Sequence, residues 1–187
     1  MAPNIVVVTG FGLFRDYQVN ASWEVARMLP ATGIADELNI NLVTINVPVS
    51  YKDVDRIVPD LWDQYKPVLM IHLGVSHLAK ILTVELLANS HGYCNMDIHG
   101  NCPNNESVVN NVIETGLKIE CTDELDICTS HDAGRYLCEY IYFKSLSINK
   151  NQTIFIHVPN LDQDNTAEKL AEKLKCIIKK LLEQISF

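Results

Sequence analysis

The chain has 187 residues, 48% apolar and 20% charged, a length and balance that suit one globular domain over residues 1–187. A net charge of -8 with no run of Lys and Arg excludes the basic stripe that would grip a nucleic acid or an anionic membrane surface. No apolar stretch approaches the ~20 residues that span a bilayer. The start, MAPNIVVVTGFG, has neither the basic segment nor the apolar length of a signal peptide. Cys94, Cys102, Cys121, Cys128, Cys138 and Cys176 are scattered, without the density of a disulfide scaffold. A cytoplasmic location is therefore expected, and the sequons at Asn20, Asn105 and Asn151 read as chance matches.

In chain order, residues 5–9 (IVVVT) are a β-branched run suited to a strand buried on both faces, closed by a turn at Gly10, Phe11 and Gly12. After a loop to Ala21, a helix is expected over residues 22–29, stopped by Pro30. Residues 38–47 (LNINLVTINV) alternate like a strand. Ser50 and Asp53 form a variant capping box for a helix reaching Tyr65, with Val54, Ile57, Leu61 and Trp62 inward. Residues 68–73 (VLMIHL) predict a second strongly apolar strand closed by Gly74, and residues 81–87 a further strand carrying Glu85.

The Asn- and His-rich stretch 88–118 reads as loop with short hairpin pieces. Residues 126–129 suit a short strand leading into SHDAGRYLC, after which a helix runs to about Leu146. Residues 153–158 (TIFIHV) make a last buried strand. The C-terminal helix, with Asn165 and Glu168 at its cap, carries one apolar stripe of Leu170, Leu174, Ile177, Ile178 and Leu181. Strands alternating with helices predict an α/β three-layer sandwich: an open, twisted, mostly parallel sheet with helices on both faces.

Three titratable residues fall near strand ends and helix starts, where such sheets place function. Cys138 lies in the first turns of a helix announced by Asp132, Ala133 and Gly134, and amide dipoles there favour a thiolate. At an ordinary pKa only about 3% of a thiol is ionised at neutral pH, so a drop of two to three units changes its reactivity. His157 ends an apolar strand ahead of Pro159, which places it at the sheet rim, able to pair with a thiolate and to protonate a leaving amine. Glu85 sits on an otherwise apolar strand, where a carboxylate needs a partner. Orienting an imidazole would complete a nucleophile–base–orienter set. Each also has a plainer reading: Cys138 as a small core residue, His157 as a structural histidine, Glu85 paired with Lys80 or Arg135.

VVVTGFGLF, VNASWEVA, INVPVSY, VLMIHLGVS, SHDAGRYLC and FIHVP resemble, in the same order and over nearly the whole chain, segments of the pyroglutamyl-peptidase I family of cysteine peptidases. SHDAGRYLC is the most specific, because it couples an Ala-Gly turn to the nucleophilic cysteine at fixed spacing. The resemblance implies a thiol protease that removes N-terminal pyroglutamate from small peptides through a thioester, without cofactor or metal. It assigns the triad to Cys138, His157 and Glu85, and the walls of the pyrrolidone slot to Phe11 and Phe14. Pyroglutamate is a flat neutral lactam, so an apolar slot with backbone partners is enough to hold it.

The sequence departs from the family at three places. The first loop has Leu13 and Arg15 where Pro and Gly are common, the loop after Glu85 lacks the arginine of bacterial members, and residues 116–130 are short for the usual helix. Loss of that helix is expected to uncover apolar sheet. Two other readings stay open. His91, Cys94, His99 and Cys102 have zinc-ligand chemistry at an uncommon spacing, and a homologue without turnover would still bind pyroglutamyl peptides.

Overall fold

A computed structural model describes residues 4–14, 18–103, 111–120 and 126–185. The central sheet has six strands in the order β2-β1-β3-β8-β4-β7: β1 (Asn4–Phe11), β2 (Ile40–Val47), β3 (Leu69–Val75), β4 (Leu82–Glu85), β7 (Ile127–Ser130) and β8 (Thr153–Val158). All neighbours run parallel except β4, which is antiparallel to β8 and takes β7 with it. A two-stranded antiparallel ribbon, β5 (Leu87–Asn89) with β6 (Val112–Glu114), stands beside it.

Helices α1 (Ala21–Met28) and α5 (Ala167–Gln184) cover one face, and α3 (Tyr51–Tyr65) and α4 (Leu137–Asn149) the other. The expected three-layer α/β sandwich is what forms. Alternation within each strand feeds the two cores separately. Val6, Val8, Ile71, Leu73, Ile154 and Ile156 pack under α1 and α5, while Val7, Met70 and Phe155 face α3 and α4. On α5 the stripe Leu170, Leu174, Ile177, Ile178 and Leu181 is fully buried.

Several boundaries move for physical reasons. Strand β1 runs through Gly10 to Phe11. A Cβ on Gly10 would lie 2.5 Å from the Ser22 carbonyl oxygen, so glycine there lets α1 lie against the strand rather than ending it. Gly74 is likewise inside β3. A short helix α2 (Ile34–Leu38), started at Gly33 (φ 71°) and ended at Asn39 (φ 49°), precedes β2. Ser50 caps α3 by accepting from the Asp53 amide, as the sequence suggested. The cap of α5 is Thr166, whose side chain accepts from the Lys169 amide, not Asn165.

Between β6 and β7 the described residues hold no helix. The sheet is not left bare there. Leu117 is buried and Ile119 packs beside it in the α1/α5-side core, and the Lys118 amide donates to Gln184 Oε1 at 2.9 Å. Leu117 and Ile119 thus cover sheet that loss of the usual helix was expected to leave bare.

Candidate active site

The antiparallel pairing of β4 with β8 brings the polar residues together. In register, His157 stands between Gly74 and Thr83, and Phe155 between His72 and Glu85. Opposed residues share a sheet face, and diagonal neighbours are within reach of long side chains. Glu85 and His157 therefore meet on the face that α4 covers: the ring Nδ1 donates to Glu85 Oε1 at 2.7 Å. Glu85 is 2% exposed, and its Oε2 has no hydrogen-bond partner among the described residues, so the imidazole is the group that balances its charge. Lys80 and Arg135 do not take that place. Arg135 instead binds Asp132 at 2.8 Å and Glu139 at 2.9 Å. The imidazole is buried rather than projecting at the rim.

Cys138 is the second residue of α4. The N-cap residue, Tyr136, provides no side-chain hydrogen bond, unlike Asn20, Ser50 and Thr166 on the other long helices. The first-turn amides beside the thiol thus remain free of a side-chain cap. The sulfur lies directly over Gly74: a Cβ on that glycine would sit 2.6 Å from Cys138 Sγ and 2.6 Å from Phe155 Cζ. Its backbone is ordinary extended strand, so space, not conformation, demands glycine. Gly74→Ala is expected to cost about 1–3 kcal/mol through overpacking against that sulfur and ring, read from denaturant unfolding.

Gly74, over which the Cys138 sulfur lies, is the strand neighbour of His157, so the thiol and Glu85 both border the ring. Burial lowers its pKa, but Cys138 and Glu85 outweigh that and raise it from 6.5 to about 9. A raised folded-state pKa stabilises the protein fully below the unfolded value and loses that contribution as pH rises through about 9. Thermal unfolding is expected to show Tm falling between about pH 7 and about pH 10, with a smaller fall in Glu85→Gln. One pleat down from Gly74, the fully buried His72 stays neutral: burial pushes its pKa far below the ordinary value, and Nδ1 pairs with Thr9 Oγ1 at 2.8 Å.

A cavity of about 320 Å³ opens beside the thiol, walled by Phe11, Phe14, Val49, Tyr136, Leu137 and Cys138. Phe14 packs its ring on Tyr136, with centroids 5.5 Å apart. The loop bearing Phe14 is tied to α1. The Phe11 amide donates to Ser22 Oγ at 3.0 Å, and Asn20 Nδ2 to the Gly12 carbonyl at 2.8 Å. Sequence reasoning did not single out Val49, Tyr136, Asn95 or Gly74. Tyr136 and Val49 lie within the motifs SHDAGRYLC and INVPVSY, and only that placement hinted at them.

The loop after β5 reaches the cavity at Asn95 and is held by fixed contacts. Asp97 accepts from the amides of Tyr51, His99 and Asn101, and Tyr136 Oη donates to the Met96 carbonyl at 2.9 Å. Glu139, fully buried, accepts from the Asn89 amide and side chain while holding Arg135. Among the described residues no group of three or more His, Cys, Asp and Glu side chains could hold a metal ion. His91, Cys94, His99 and Cys102 are not brought together in such a group.

The pyroglutamyl peptidase family model matches residues 4–179. Pyroglutamyl-peptidase 1 of Rattus norvegicus is 35% identical over 95% of this chain and 89% of its own length. The Homo sapiens protein of that name is 34% identical over 95% and 90%. The chain belongs to the pyroglutamyl peptidase family. Its fold agrees with the pyrrolidone carboxyl peptidase of Thermococcus litoralis, at a TM-score of 0.80 and 22% identity over 96% of this chain and 94% of that one.

Membership in this family of cysteine-type hydrolases gives the departures noted in the sequence a frame. Leu13 is 61% exposed and is not among the described residues lining the cavity; Arg15 lies outside the described residues. Arg135 sits at the loop that lacks the bacterial arginine, its Cδ 3.2 Å from where a Cβ on Gly92 (φ 92°) would be. Among the described residues no helix is long and apolar enough to cross a membrane.

Proposed function

We propose that the chain hydrolyses the bond after an N-terminal pyroglutamyl residue, with Cys138 as nucleophile, His157 as acid and base, and Glu85 as the group that orients His157. The supporting observation is a cysteine at an uncapped helix start, lying over the strand neighbour of an imidazole that a buried carboxylate holds, beside an apolar cavity. A charged imidazole at neutral pH is the partner a thiolate needs.

The Cys138 sulfur attacks the pyroglutamyl carbonyl carbon, forming a C–S bond and placing negative charge on oxygen, which first-turn amides of α4 stabilise. As the tetrahedral species collapses, the C–N bond breaks and His157 gives its proton to the departing amine. Water then attacks the thioester, passing a proton to the neutral ring. The C–S bond breaks, and pyroglutamic acid leaves with thiolate and imidazolium restored.

The described lining of the cavity contains no Asp or Glu. A substrate with a free α-ammonium group would enter without a counter-charge, whereas the neutral lactam carries none. A pyroglutamyl amide and the matching prolyl amide differ mainly in that charge and the lactam carbonyl. The expected kcat/KM ratio is roughly 1000-fold or more in favour of pyroglutamyl. Comparable rates for the two would refute the assignment.

A further inference from the structure

A second cavity, of about 520 Å³, adjoins the first and shares Phe14, Asn20, Val75 and His77 with it. It includes neither Cys138 nor the start of α4. Asn160 and Leu161, three and four residues beyond His157, help to line it. In acyl transfer the acyl group lies against the nucleophile and the departing amine against the acid that protonates it. The cavity beside Cys138 is therefore on the acyl side, and the second, which lacks Cys138 and is lined by the segment that follows His157, on the leaving side.

The surroundings of the second cavity suit that assignment. Apolar side chains from three segments, Phe14, Val19, Ala21, Val75 and Leu161, line it. His77 and Asn160, paired at 3.0 Å, stand exposed at its rim. Val19 is 52% exposed. This cleft is thus open at the outside, as an exopeptidase requires: one terminal residue is enclosed while the rest of the peptide runs out to solvent.

Building on the proposed peptidase activity, we infer that this cleft is the subsite for the residue following pyroglutamate and that it selects an apolar side chain there. Pyroglutamyl-leucine amide and pyroglutamyl-asparagine amide present side chains of nearly equal shape and opposite polarity. Burying the apolar one in the cleft is expected to raise kcat/KM for leucine over asparagine roughly 10-fold. Leu161→Asn is expected to bring that ratio close to one. Val19→Asn, at a half-exposed lining position from another segment, is expected to lower it as well and keeps the test available if the first variant fails to fold.

Equal wild-type rates on the two peptides would overturn the inference while leaving the peptidase assignment intact. So would a leucine preference that neither variant changes. Failure to release pyroglutamate from these peptides and from pyroglutamyl-glycine amide alike would refute the activity itself, and the inference with it.

Discussion

Replacing Cys138 with serine is expected to lower kcat for a pyroglutamyl amide by on the order of 10⁵-fold, the scale at which loss of a nucleophile collapses a cooperating set of catalytic groups. The exchange swaps one atom at a half-buried position, so unfolding free energy should stay within about 1 kcal/mol of wild type. That contrast matters, because loss of activity accompanied by loss of fold would say nothing about the sulfur. The neighbouring Glu139 is fully buried and anchors Asn89 and Arg135. A change there would move the site and the fold together.

Glu85→Gln carries the second large effect, roughly 10³- to 10⁴-fold in kcat at neutral pH, because a neutral amide holds the ring less well and in the wrong tautomer. The sign of the accompanying pH change follows from the site. Glu85 is one of two groups that raise the His157 pKa against the effect of burial. With its charge removed, the imidazolium is lost at lower pH, and the alkaline limb of the kcat/KM profile moves down from about 9. A variant with reduced kcat and an unmoved alkaline limb would show that the carboxylate acts on something other than this ring.

Local pattern made most of the framework readable. Residues 153–158 are all β-branched, aromatic or histidine and form β8 with those limits, and the stripe on α5 is periodic enough to identify its buried face without tertiary information. The glycines misled for a shared reason. Gly10 and Gly74 look like strand terminators, yet each sits within a strand because a helix backbone or a sulfur atom occupies the space of its Cβ. Whether a glycine serves conformation or clearance depends on what packs against it, and that is decided by residues far away in the chain.

The meeting of Glu85 with His157 was beyond local pattern in the same way. The two are 72 residues apart, and their contact depends on β4 entering the sheet antiparallel to β8, a reversal that nothing in residues 82–85 announces. Residue type and placement nominated Cys138, Glu85 and His157 as separate candidates, and only the family resemblance joined them as a triad. The pocket walls were less visible still, since Val49, Asn95 and Tyr136 come from three loops held to one another by hydrogen bonds of Tyr51 to Asp97 and Asn95 and of Tyr136 to Met96, contacts between segments far apart in sequence. The extended cover at Leu117 and Ile119 escaped notice because two apolar residues in five are too few to show a period.

Covalent capture by a pyroglutamyl diazomethyl ketone, an alkylating mimic of the scissile residue, tests the central claim most directly. With six cysteines in the chain, peptide mapping of the labelled protein reports which sulfur faces the bound ring. The account predicts one label per chain, on Cys138, with activity lost in proportion and labelling slowed in His157→Ala. Label on any other cysteine, or full turnover after Cys138 has been alkylated, would contradict it.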